Sequence, residues 1–392
     1  MKSRSLLAGA VTLAVITSAR FETFGQTNGV ILISTRKAQD LSYATTDATD
    51  QKGPGQASQG DVAMAELLGD HGYSSRIIAD AQLNTNLGGD PIPFLTPANP
   101  DFNANLVILS GSSGSADVPG MAGNGIPIII GEHSCIGDRP LVCSCLMYTN
   151  GTQSGNITDT TGAPFGPGGQ YMKVLQPNHP ILQGIPLDTF GRIKIFRDRY
   201  PEENSHVPPG GKPNYEYSWT AIHVTNAAAG TTILGILDPT TTSYTNENQR
   251  AVFAVNDIGG ILGDGSVNPV RLVHWIVCED GSGGSRRMFN ALTDIGRVLF
   301  VRTVKWALGQ PLPPYQPLNI KVSAVSNTSI RLSWTASADK NYKILGSGNL
   351  ATPRFNWETL SQDIPGINGT IQKSLDLSAA PQVAFLQVAS VP

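Results

Sequence analysis

The sequence predicts an α/β domain, mainly a parallel sheet flanked by helices, followed by a small all-β sandwich domain. Three observations carry that prediction. Before residue 310 the apolar residues come in short unbroken runs that end in Gly, Ser or Thr: GVILIST at 29–35, NLVILSGSSG at 105–114 and GIPIIIGEHSCIG at 125–137. Unbroken runs suit strands covered on both faces, as strands of a parallel sheet are. Beyond residue 318 the period changes to two, with Ile330, Leu332 and Trp334 alternating with Arg331, Ser333 and Thr335, a strand with one wet face. Between the two patterns lies GQPLPPYQPL at 309–318, whose prolines stop a helix and favour an extended spacer.

Composition narrows the function classes. The chain has 392 residues, more than one ordinary domain, and only 15% of them are charged, with a formal net charge of −3. Nucleic acid and anionic membrane surfaces need clustered Lys and Arg, so neither partner is expected. The 42 Gly and 27 Pro suit short strands joined by many turns.

The elements follow in order. Lys2 and Arg4 form a basic region, Leu6 to Ile16 an apolar one, and Thr17-Ser18-Ala19 a small-residue cleavage site. Residues 1–19 therefore predict a signal peptide and export, to the cell surface, the periplasm or beyond. The alternative for the same apolar run is a buried first strand or helix. No later segment is apolar enough to predict a transmembrane helix.

Gly29 to Thr35 is the first strand of the α/β domain, which spans 28–309. Ser58-Gln59-Gly60-Asp61 then resembles a capping box; Val62, Ala65 and Leu68 fall on one helical face, and Gly72 ends that helix. Arg76 to Asp80 is the second strand, completing a βαβ unit. Leu106 to Leu109 and Ile126 to Ile130 are the third and fourth. Residues 149–170, rich in Gly, Thr and Asn, read as a long exposed excursion. His179-Pro180-Ile181-Leu182-Gln183-Gly184-Ile185 marks a compact turn. Short strands follow at 192–196, 219–224, 232–237, 251–255 and 271–277 (RLVHWIV). A helix from about Met288 to Leu308 closes the domain, its two apolar stripes (Leu292, Ile295, Leu299 and Phe300, Val304, Leu308) predicting cover on more than one side. After the linker at 310–318, residues 319–392 form the sandwich.

The NPDFNANLVILSGSSGS block, the NHPILQGI turn and the RLVHWIV strand with its closing helix resemble the class I glutamine-amidotransferase-like fold, close to the trehalose-utilisation-protein-like group. The resemblance covers roughly residues 28–309 and implies a flavodoxin/amidotransferase-like sheet. The tail, IRLSWTASADKNYKILGSGNL with NWETL and VAFLQVASV, is similar to small carboxyl-terminal β-domains of exported proteins from Verrucomicrobia and related bacteria. Catalytic members of the superfamily end the fourth strand in a Gly-x-Cys-x-Gly elbow and carry a His-x-Glu pair. Here Glu132 stands where the thiol would be, Cys135 comes three residues later, and His274 is followed by Trp275 and Ile276. The resemblance thus implies the scaffold without its acyl-transfer chemistry.

Loops at the carboxyl ends of parallel strands are where α/β sheets place ligands. Ser110, Ser112 and Ser113, in a Gly-rich turn after the third strand, are candidate ligand-binding residues able to offer backbone amides to an anion; a plain flexible turn is the other reading. Glu132, His133 and Asp280 are candidate catalytic residues for acid–base hydrolysis of carbohydrate, with solvated strand-end carboxylates as the other reading; Tyr215, Tyr217 and Trp219 are candidate sugar platforms, which core packing explains about as well. Glu132, His133, Cys135 and Asp138 are metal-capable types, but their spacing matches no ligand motif, so no metal and no cofactor is expected. Cys135, Cys143, Cys145 and Cys278 are disulfide candidates in an exported protein; four free thiols packed as small hydrophobes are the alternative.

Two functions are compatible with these readings. The first is an exported, non-catalytic binding or structural protein, whose partner is a cell-surface polymer, a protein or copies of itself. The second is a carbohydrate-active hydrolase.

Overall fold

The computed structural model describes residues 14–17, 30–35, 59–79, 104–111, 113, 125–132, 146–149, 154–157, 171–196, 220–224, 226–237, 251–276, 278–279, 289, 292–315, 318, 320–326, 329–336, 341–349, 357–367, 369–378, 383 and 385–391. They belong to two units, Phe24–Tyr315 and a second made of Met1–Thr23 with Gln316–Pro392.

Apart from β1 (Ala14–Thr17), which belongs to the second unit, the chain opens with β2 (Val30–Thr35), α1 (Gln59–Asp70), β3 (Ser74–Ala79), β4 (Ala104–Leu109) and β5 (Ile128–Ile130). Then come β6 (Ser154–Ile157), β7 (Tyr171–Val174), β8 (Arg192–Lys194), β9 (Thr220–Val224), β10 (Thr231–Leu237) and β11 (Ala251–Asn256). β12 (Leu272–His274), β13 (Cys278–Glu279) and α2 (Asp294–Ala307) complete the first unit.

One mixed sheet runs through this unit in the order β3-β2-β4-β5-β12-β11-β10-β7-β8, with β9 joining β11, β13 and β6 beside it. From β3 to β12 every neighbouring pair is parallel. From β12 to β8 every pair is antiparallel. The parallel half therefore reverses its direction of growth between β2 and β4, the crevice where doubly wound sheets place ligands. The unbroken apolar runs explain it: Ile31 to Ile33, Leu106 to Leu109 and Ile128 to Ile130 are all buried.

The expectation of a mainly parallel sheet flanked by helices is thus met only in part. The sheet is mixed, strands dominate, and among the described residues the helices are α1 and α2. The supposed excursion at 149–170 contains β6, paired antiparallel with β9. Its SGNI sequence carries no strand pattern, because backbone pairing needs none. Among the described residues of RLVHWIV, Leu272–His274 form a strand; Cys278 and Glu279 pair with Ala221 and Thr220 of β9.

α2 begins at Asp294 rather than near Met288. Thr293 is its N-cap: its hydroxyl accepts from the Gly296 N–H at 3.1 Å and donates to the Lys194 carbonyl at 2.7 Å, which fixes the start. Every α2 residue from Val298 to Ala307 is buried, so the helix has no wet face beyond its first turn. Arg302, also buried, spends its guanidinium on the carbonyls of Ile181, Pro180 and Pro313. That ties the HPILQGI turn to α2. The same turn needs glycine at Gly184, which has φ 81° and lies against the Tyr315 backbone where a Cβ would stand. Residues 310–315 of the Pro-rich stretch lie against this unit: Tyr73 donates to the Gln310 side chain at 2.6 Å, and the Tyr315 N–H to the Gln183 carbonyl at 2.8 Å.

In the second unit, β14 (Ile320–Ala324), β15 (Ser329–Ala336), β16 (Asn341–Ser347), β17 (Glu358–Pro365), β18 (Gly369–Asp376) and β19 (Phe385–Val391) form two sheets, ordered β14-β15-β18 and β1-β19-β16-β17. Leu332, Trp334, Ile371 and Leu375 from the first share one core with Tyr342, Ile344, Leu386 and Val388 from the second. The period-two alternation read in β15 is what fills it. Residues 14–17 of the amino-terminal apolar run form β1, which pairs in parallel with β19.

Candidate functional site

The carboxyl edge of the parallel half carries the chemistry-bearing residues. β4, β5 and β12 lie side by side, with Leu109 opposite Ile130 and Ile130 opposite His274. Ser110 follows Leu109, Glu132 follows Ile130 by two residues, and Trp275 follows His274. The Gly131 N–H donates to the Leu109 carbonyl at 2.6 Å and the Trp275 N–H to the Ile130 carbonyl at 2.9 Å, so the ladder continues past the strand ends. A Cβ on Gly131 would lie 2.9 Å from the Leu109 carbonyl oxygen. Only glycine lets the end of β5 press this closely on β4.

Ser110, Ser113 and Glu132 are thereby gathered at one edge, and all three are buried; Glu132 is 5% exposed. Each is engaged by an interaction within the protein. The Ser113 N–H donates to the Ser110 carbonyl at 3.0 Å, closing the turn on itself. Ser112, His133, Asp280, Cys135, Cys143 and Cys145 lie outside the described residues, as do Tyr215, Tyr217 and Trp219; Cys278 is described only through its backbone in β13. Among the described residues no cluster of three or more His, Cys, Asp and Glu could hold a metal ion.

One pair escapes sequence reasoning. His274, fully buried, shares a 2.6 Å hydrogen bond through Nδ1 with the Tyr148 hydroxyl, the rings meeting edge to face at 5.7 Å between centroids. Adjacent residues of a strand face opposite sides. Trp275 packs on Phe253 and on Phe300 of α2, so His274 looks away from α2, where Tyr148 covers it. Burial pushes the imidazole down to about 3 and holds the phenol well above its ordinary value, so both groups are neutral.

Nε2 of His274 has no hydrogen-bond partner. Donation from Tyr148 to Nδ1 leaves only the Nε2 proton unmet. The opposite tautomer would leave both the phenolic proton and the Nε2 lone pair unmet. The first arrangement therefore wins, at a cost of about 1–3 kcal/mol for one buried donor.

A second polar network places Tyr148. Asn268 donates through Nδ2 to the Asn256 backbone and side-chain oxygens at 3.0 and 2.9 Å. Asn256 donates to Thr231 Oγ1 at 3.1 Å, and Thr231 donates to the Met147 carbonyl at 2.8 Å. The Ala228 N–H adds a second bond to that carbonyl at 2.9 Å. Tyr148 and His274 stand 126 residues apart, so no local sequence signal joins them.

The unit also carries an exposed aromatic and cationic surface. Phe190 is 70% exposed, and the Arg192 guanidinium lies 4.7 Å from its ring and 4.5 Å from that of Tyr171. Asp188 holds Arg192 there through a 2.9 Å ion pair.

Comparison with protein-family models and with curated proteins finds no match to this chain. No helix among the described residues is long and apolar enough to cross a membrane.

Proposed function

We propose that the chain is an exported, non-catalytic binding or structural protein of the cell surface or extracellular matrix, built on an amidotransferase-like scaffold that has lost its reactive thiol. One observation carries the reading. At the end of β5, where the related elbow would expose a nucleophile, Glu132 is 5% exposed and engaged within the protein. The histidine of the neighbouring strand offers no rescue, since His274 is fully buried and bonded to Tyr148. Acyl transfer needs a nucleophile and a base within reach of each other and of substrate. Glycoside hydrolysis likewise needs carboxylates that touch the sugar, which a covered Glu132 does not offer.

Binding, by contrast, needs only surface. Phe190, Tyr171 and Arg192 form an amphipathic platform at the β8 edge of the sheet, a chemistry suited to stacking on sugar rings or to polymer contacts. The test is co-sedimentation of the protein from Arg20 onward with insoluble cell-envelope polymer, with soluble sugar assayed in parallel. Retention without sugar release is expected, weakened in Phe190→Ala. Release of soluble sugar that disappears in Glu132→Gln would instead establish the hydrolase.

A further inference from the structure

We propose that the outer edge of β19 is a strand-acceptor site, filled by residues 14–17 in the unprocessed chain and by β19 of a second copy once the leader is removed. The inference rests on reading residues 1–19 as a leader and gives a surface to self-association, one of the partnerships expected from the sequence. Among the described residues, β19 has β16 on one side and β1 on the other. β1 pairs with Phe385 to Val388.

The two edges of this sheet are built differently. β17, at the far edge, carries Glu358 and Asp363, ends in Pro365 and pairs with β16 through register shifts. Charge, proline and bulges are the devices that keep an edge strand from pairing with another chain. β19 reads FLQVASV, with no charge, no proline and no glycine. Removing the leader would bare a long, uncharged edge, which is the ordinary template for strand addition.

Gln387 identifies the occupant. It is buried and its Oε1 has no hydrogen-bond partner. Its register partner in β1 is Ile16, an apolar residue. A second copy laid antiparallel about a two-fold axis at Gln387 sets the two carboxamides against each other, each amide group donating to the other's oxygen. The apolar leader strand covers this edge; a second β19 also satisfies it.

The test compares the chain from Arg20 onward with the full-length chain by light scattering over a wide concentration range, with circular dichroism as the check on folding. The chain from Arg20 is expected to dimerise and the full-length chain to remain monomeric. A synthetic peptide of residues 11–19 should return the dimer to monomer in trans. Gln387→Lys, which sets like charges together at the axis, should weaken dimerisation about tenfold or more. A monomeric chain from Arg20, a dimer indifferent to both peptide and Gln387→Lys, or residues 14–17 retained in exported protein would each overturn the proposal. The polymer assay above reports separately on the functional reading, because none of these measurements involves polymer.

Discussion

The two halves of the large sheet share close apolar packing and differ in what is added to it. The parallel half, β3 to β12, is a slab of aliphatic side chains: Ile33, Leu106, Val107, Leu109, Ile129 and Ile130 are essentially inaccessible. The antiparallel half is just as apolar inside, with Leu234, Ile236, Phe253 and Val255 buried, and adds a polar network through Asn268, Asn256 and Thr231, which fixes the segment that carries Tyr148. His274 lies on the seam, paired with Ile130 on one side and Ala254 on the other. Close packing thus makes the platform, and a polar network sets what covers it.

Substitutions separate the two contributions. Ile129→Ala, in the slab, should cost about 2–5 kcal/mol through lost transfer energy and a cavity. Asn268→Ala, in the network, should cost about 1–3 kcal/mol, because the Asn256 carbonyl and side-chain oxygens lose their donor. Urea unfolding followed by near-ultraviolet circular dichroism measures both; a larger effect at Asn268 would reverse the contrast. Gly131→Ala should also fall at about 1–3 kcal/mol, since the new methyl meets the Leu109 carbonyl and the end of β5 must shift.

The seam has a pH signature. His274 is lowered from 6.5 to about 3 and His179 from 6.5 to about 4, both by burial. Between those folded values and 6.5 the unfolded chain binds the extra protons, so stability falls as pH drops through this window and is fully present above it. The His274 proton contributes a slope of up to about 1.4 kcal/mol per pH unit, and half-buried His179 a smaller one because solvent screens it. Replacing Tyr148 and His274 together by Phe should flatten the curve between pH 6.5 and 3, leaving the His179 part. An unchanged slope would mean that His274 is not buried neutral. The smallest effect is expected at the surface: Val267, 63% exposed, should tolerate Ser within about 0.5 kcal/mol.

The same contrast explains what was legible in the sequence. Unbroken apolar runs announce a parallel strand without any knowledge of its partners, so β2, β4 and β5 could be read directly, and the alternation in β15 announced a half-wet sheet. Strands of the antiparallel half were legible where their runs are apolar, at 192–196, 232–237 and 251–255, but their order and direction were not, since these depend on distant pairing. β6, with SGNI, offers no pattern at all. At the carboxyl edge, Ser110, Ser113 and Glu132 were legible because position after a strand selects them. Their burial was not, since it depends on chain far away. His274 could be read as a core histidine from its apolar neighbours, yet Tyr148 is joined to it only by the fold.

The covered carboxylate at the end of β5 is the central claim, and Glu132→Gln tests it most directly when turnover and stability are measured on the same preparation. The account expects no glutamine or polysaccharide hydrolysis by either protein, unchanged polymer retention, and a lower urea midpoint for the variant, whose buried contacts are altered. Hydrolysis by the parent protein that vanishes in Glu132→Gln, with the urea midpoint unmoved, would contradict it.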